Sequence, residues 1–133
     1  MSKKNDNSQG NELKWGKDAL LMGWTAIPSS LFFLQHTLTI SPVAFNVLMN
    51  LLVHWWKADE WPHPSQESIA IRMNVSIRTV QRGMGELERA GLIVRRKTNR
   101  EHPKYRGRNI YDLSQLIEIL NQLTPDLKDK LNS

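Results

Sequence analysis

The sequence predicts a mainly α-helical domain that carries one small β-hairpin. Three observations predict it. Phe45, Leu48, Leu51, Leu52 and Trp55 recur at three- and four-residue spacing, the signature of one long amphipathic helix. Two shorter helical segments, 66–73 and 77–90, follow and are separated by three residues, the arrangement of a helix-turn-helix. Two β-prone runs, 92–98 and 108–113, then flank a polar loop and read as a hairpin, which makes the whole a winged helix-turn-helix.

Each element has its own local justification. Residues 1–16 are polar and poor in large apolar groups, so they are expected to be a flexible arm ahead of a domain spanning 17–123. Between 20 and 34 the pattern is irregular, although Pro28-Ser29-Ser30 looks like a helix start that would place Leu31, Phe32 and Leu34 in a short apolar turn. Ser41 fits the N-cap of the long helix, and Pro42 fits its first position, where the missing N–H is not needed. Asn46, Asn50 and His54 trace its opposite side. The segment 57–64, with two prolines and a charge cluster, must be a loop. Ser65 and Ser76 cap the next two helices, and Gly91 stops the second. Ser114 is placed to cap a final helix whose Leu116, Ile117, Leu120 and Leu123 share a side. Thr124-Pro125 should restart a weak turn in a tail, 124–133.

Composition narrows the function. With 133 residues and 40% apolar content there is material for one core. No unbroken apolar run exceeds four residues, as at 31–34, against roughly 20 for a membrane span. No secretory leader pattern is visible, and cysteine is absent, which removes disulfides, thiolate nucleophiles and sulfur-based zinc sites. A reducing cytoplasm is the expected location. The formal net charge is +5, with a pI of about 9.7. All nine arginines fall between 72 and 108, where eleven basic groups meet only Glu86, Glu88 and Glu101, while the rest of the chain is net negative. A planar five-donor guanidinium suits phosphate oxygens and guanine edges better than an ammonium does.

The helix-turn-helix carries the chemistry. Ala70 is small where the two helices must approach. Asn74, four residues later, occupies the turn position that needs positive φ, where glycine is usual and asparagine next best. Val80, ten residues after Ala70, supplies the apolar plug, with Ile69, Met73 and Val75 around it. At 100° per residue, Val80, Met84 and Leu87 cluster within about 60° on the second helix. Arg78, Arg82 and Arg89 face away, flanked by Thr79, Gln81 and Glu86. Such like charges repel at helical spacing, and a polyanion relieves the repulsion.

The major groove of DNA admits one helix, usually with its N-terminal half on the base edges. Arg78 and Arg82 are therefore the candidate base readers, with Gln81 as a second reader of adenine. Ser76 and Thr79 either meet phosphate oxygens or simply cap and pack. Gly83 faces the flank of the core, where a missing side chain lets another helix come close. Gly85 faces outward, either for close approach of a phosphate or as a tolerated weakness. In the hairpin, Arg100, Lys104 and Arg106 with Pro103 and Gly107 form a cationic loop fit for the backbone or the adjacent minor groove. Arg95 and Arg96 alternate across the strand, so only one shares the side of the recognition helix; Arg96 is included in the wing contact set with Arg100, Lys104 and Arg106.

From about residue 23 to residue 120 the chain resembles the bacterial winged-helix domains of phage and plasmid replication initiators and small transcription regulators. The segments GWTAIPSSL, LTISPVAFNVLMNLL, SQESIAIRMNVSIRTVQRGMGELERAGLI and RNIYDLSQLIEIL carry the resemblance. It implies that the TVQR-type helix enters the major groove, with Arg78, Thr79 and Arg82 in the contact roles, and that the hairpin is the wing. The departures are Asn74 in place of the commoner glycine, the two helix glycines, and a loop rich in tryptophan (Trp55, Trp56, Trp61).

Four scattered histidines without an i,i+4 pair, no phosphate-cradling glycine loop and no carboxylate pair in an acid–base context point away from a metal site, a cofactor and catalysis. The C-terminal stripe of Leu113, Leu116, Ile117, Leu120 and Leu123 either packs back on the first long helix or pairs with its twin in a homodimer on a palindromic site. The expectation is a sequence-preferring double-stranded DNA-binding protein, controlling transcription or initiating replication on a mobile element. Helix 77–90 would lie in the major groove and wing 98–108 on the backbone or minor groove. The alternative is a protein-interaction adaptor that uses the tryptophan cluster.

Overall fold

Three serine hydroxyls start the three central helices in the computed structural model, which describes residues 3–132 and the side chains of residues 8–131. Ser41 caps α4 (Pro42–Leu52) by accepting from the Ala44 N–H, with Pro42 in the first turn. Ser65 caps α5 (Gln66–Met73) through the Ser68 N–H, and Ser76 caps α6 (Ile77–Arg89) through the Thr79 N–H. Each cap satisfies an amide that the first helical turn leaves without a partner. Ahead of these lie α1 (Lys3–Trp15), a single 3₁₀ turn (Asp18–Leu20), α2 (Ser29–Phe33) and α3 (Gln35–Leu38). After them come β1 (Val94–Lys97), β2 (Asn109–Asp112) and α7 (Ser114–Asn132).

Between α5 and α6, Asn74 takes the left-handed conformation, φ 57° and ψ 48°, as its place in the turn requires. The α6 helix ends when Gly91 adopts φ 75° and the Leu92 N–H reaches back to the Leu87 carbonyl at 3.0 Å. Leu92 and Ile93 then enter the core, so β1 begins only at Val94. The strands pair antiparallel with Val94 opposite Asp112 and Lys97 opposite Asn109. On its other edge β2 donates one more bond, from the Tyr111 N–H to the Pro62 carbonyl at 3.0 Å, which ties the 57–64 loop to the hairpin.

The core runs from Leu31, Leu34 and Leu38 through Ala44, Val47, Leu48 and Leu51 of α4 to Ile69 and Ala70 of α5 and Val80, Met84 and Leu87 of α6. Tyr111, Leu113, Leu116 and Leu120 close it. The buried face of α4 is therefore wider than the Phe45-to-Trp55 stripe: Ala44 and Val47 are fully buried, whereas Phe45 and Trp55 are only partly so. Val47 sits against Gly83, where a Cβ would lie 2.8 Å from its Cγ2, so the glycine is what lets α4 and α6 pack this closely. A further link crosses the same junction. The Glu86 carboxylate accepts from the Ser41 N–H at 2.8 Å and from the Ser41 hydroxyl at 2.7 Å.

Both ends of the chain differ from expectation. The segment read as a flexible arm is helical over Lys3–Trp15, uninterrupted by proline and closed by Gly16 at φ 83°, although its described side chains are nearly all exposed. The segment read as a tail is the second half of α7, which passes through Pro125 without a break. The proline removes one amide from the helix ladder, but Leu123 and Leu127 on either side of it pack against the core and keep the helix running. Residues 1, 2 and 133 lie outside the described residues. Ser114 does not cap α7. It belongs to the first turn, and Asp112 takes the capping role by accepting from the Ser114 N–H and hydroxyl at 2.9 and 2.6 Å. Leu113, Leu116 and Leu120 are buried within this chain and Leu123 packs against the core, while Ile117 points outward, so most of that stripe packs back on its own domain. Among the described residues no helix is long and apolar enough to cross a membrane.

Candidate nucleic-acid interface

With Val80, Gly83, Met84 and Leu87 buried, the opposite side of α6 is fixed by geometry. Arg78, Arg82, Gly85 and Arg89 fall within about 60° of one another there, along roughly 16 Å of helix axis. The three arginines are exposed, and no ion pair engages them among the described residues. Arg89 lies back along the stripe, its guanidinium 3.2 Å from where a Cβ at Gly85 would stand. Gln81 is exposed beside Arg82. At the N-terminus of α6 the Ser76 hydroxyl serves as the cap and lies 3.0 Å from the Thr79 hydroxyl, so both oxygens sit together at the positive end of the helix. Ile77, in the first turn, is 44% exposed and puts an apolar group at the same end of the helix.

The wing is more ordered than a charged loop needs to be, and two residues that the sequence reading passed over order it. The His102 Nδ1 accepts from the N–H groups of Lys104 and Tyr105, each at 3.1 Å. The Tyr105 ring is buried between His102, at 4.9 Å between centroids, and His63 of the 57–64 loop, at 5.3 Å. At the base, the Thr98 hydroxyl donates to the Arg108 carbonyl at 2.7 Å. Arg106 and Gly107 turn the chain back with φ of 50° and 86°. The bend is tight: a Cβ on Gly107 would lie 3.3 Å from the Arg100 Cα.

The wing cations fall into two groups. Arg96 is held by Asp112, Nε to Oδ2 at 3.1 Å, and Lys104 by Glu60 at 3.5 Å, though both side chains keep more than half their surface. Arg100, Arg106 and Arg108 are exposed, and no ion pair engages them among the described residues. Arg95, not Arg96, is the strand arginine that turns to α6, where it meets Glu88 at 2.6 Å. Burial pushes the Asp112 carboxyl up, but the hydroxyl and N–H of Ser114 and the Arg96 guanidinium outweigh it and leave the group below its usual range.

The tryptophan cluster divides in the same way. Trp55 and Trp61 pack on each other at 5.5 Å and against the core, whereas Trp56 is 82% exposed. Beside them the His54 Nε2 and the Trp55 Nε1 are buried without a hydrogen-bond partner among the described residues. Burial, and then the charges of Arg72 and His63, hold the His54 imidazole below its ordinary value.

The sequence pattern of a helix-turn-helix domain family matches residues 38–93, the stretch from the end of α3 to the buried Ile93. No curated protein sequence matches the chain. Among solved structures, one described as a possible transcriptional regulator from Methanosarcina mazei Go1 is similar with a TM-score of 0.48 and 16% identity, over 82% of this chain and 92% of that one. The mainly helical chain with its antiparallel hairpin is a winged helix-turn-helix.

Proposed function

We propose that the chain binds double-stranded DNA with sequence preference, α6 lying in the major groove and the wing, residues 98–108, on the backbone or in the adjacent minor groove. In this reading it is a transcription regulator or a replication-initiation factor of a mobile element. The observation that carries it is the exposed line of Arg78, Arg82 and Arg89 opposite the buried face of α6. Among the described residues no ion pair neutralises these three guanidinium groups, and they match the donor set that reads guanine edges and phosphates. Ser76 and Thr79 supply hydroxyls and amides for a phosphate at the helix N-terminus, and Gln81 an amide for adenine. Arg96, Arg100, Lys104 and Arg106 supply the wing contacts. An adaptor role for the tryptophan loop has less support, because two of its three indoles pack into the domain.

Selection of sites from a random duplex library, followed by titration at several salt concentrations, tests the reading. Affinity should fall with salt at a slope of about 0.9 per phosphate neutralised. Arg82→Ala should lose about 1–3 kcal/mol of discrimination at one base pair, and Arg100→Ala should weaken all sites alike. Absence of duplex binding at low salt overturns the proposal, and equal, sequence-independent losses from both variants overturn the assignment of Arg82. A selected palindrome with half-sites one turn apart would identify two copies on the DNA.

A further inference from the structure

Apart from the arginine stripe, a cleft of about 840 Å³ opens between the loop 53–65, the first turn of α5 and the start of β2. Its size lies within the range of small-ligand sites. Trp56 and Trp61 give it indole surfaces, and Trp56 is left 82% exposed, with the His54 ring 5.8 Å away. Lys57 and Arg108 line the same cleft, and no ion pair among the described residues engages either. Its one carboxylate, Glu60, is already met by Lys104 at 3.5 Å. Asn109 adds an amide that can donate and accept at once.

These groups are three different kinds, and a single ligand chemistry satisfies all of them. An exposed indole takes a planar ring by stacking, the two unpaired cations take an anion tied to that ring, and the amide reads a polar ring edge. We propose that this cleft binds a nucleotide, its base laid on Trp56 and its phosphate held by Lys57 and Arg108. Two sources supply that chemistry: a single DNA strand opened beside the wing, or a free nucleotide. The first rests on the duplex reading above; the second does not.

The test uses the full chain, a labelled oligo(dT) of about ten residues, in the range that single-strand grooves occupy, and dTMP as competitor. Trp56→Ala and Trp56→Phe are compared with the parent chain, and all three are also titrated with duplex. The expected result is saturable binding of the oligonucleotide that weakens about 5- to 150-fold in Trp56→Ala, the span of one base–aromatic stack, and is largely restored in Trp56→Phe. Duplex affinity should be the same in all three. Competition by dTMP supports a free nucleotide as occupant, and binding of the strand without such competition supports DNA. Equal strand binding by the parent and Trp56→Ala would mean simple attraction to the basic wing and would overturn the site, as would no binding of strand or dTMP. Loss of duplex binding in the parent chain would instead overturn the reading of α6, leaving the Trp56 comparison to be judged on its own.

Discussion

Gly83→Ala isolates the contact that sets the recognition helix on its support. A methyl there would stand 2.8 Å from the Val47 Cγ2, 3.5 Å from its Cβ and 3.7 Å from the Ala44 Cα. Val47 is fully buried and its χ1 is stiff within a helix, so it has no room to turn aside. Overpacking of this kind costs about 1–3 kcal/mol, while replacing a mid-helix glycine by alanine returns about 1 kcal/mol of helix propensity. The net expectation is a loss of about 0–2 kcal/mol. Gly85→Ala supplies the control, because it gains the same propensity and its new methyl meets only the flexible Arg89 guanidinium at 3.2 Å. That variant should be stabilised by about 0.5–1 kcal/mol. The difference between the two cancels propensity and reads the Val47 contact alone, at about 1–3 kcal/mol. Urea unfolding followed by circular dichroism measures both midpoints. Pairing Gly83→Ala with Val47→Ala should recover part of the loss expected from adding the single effects. Two alanines that stabilise equally would refute the close approach of α4 to α6, and with it the placement of the arginine stripe.

Three further outcomes follow from individual bonds. Glu86→Ala should lose about 2 kcal/mol in urea unfolding, because it strips the Ser41 N–H and hydroxyl of a charged acceptor, and Glu86→Gln should lose less. Asn74→Ala should cost about 1–2 kcal/mol for a left-handed backbone, while Asn74→Gly should lie within about 0.5 kcal/mol of the parent in the same measurement. His54 resists protonation in the fold, so its contribution is complete above its ordinary value of 6.5 and is lost as the pH falls through the lower folded value. Unfolding midpoints of the parent chain should therefore drop on acidification below 6.5, and the part due to His54, at most about 1.4 kcal/mol per pH unit, should vanish in His54→Gln.

What the sequence made legible is what lies within a turn or two of itself. Ser41, Ser65 and Ser76 each bond an amide three residues on, Asn74 answers only to its own φ, and the alternation of Val80, Met84 and Leu87 with Arg78, Arg82 and Arg89 is a single helical period. Gly83 was legible as a close approach, but its partner was not, because Val47 lies outside the apolar stripe that periodicity selects on α4. The missed features share a cause. Glu86 reads as one more acid on a charged helix until the fold brings Ser41, 45 positions away, under it. Pro125 obeys a local rule that packing of Leu123 and Leu127 overrides.

The wing shows where the limit falls. Its charge was plain, but which cations stay free was not, since Asp112 and Glu60 remove two of them from elsewhere in the chain. The register does contain the signal for one. With Val94 opposite Asp112, Arg96 lies two residues along on the same face, the diagonal at which a long side chain reaches a carboxylate. Among the described residues Arg100 and Arg106, like Arg108, have no carboxylate to leave before they meet a phosphate. Arg96 and Lys104 must exchange one anion for another, so truncating either of them should weaken DNA binding less than truncating Arg100 does.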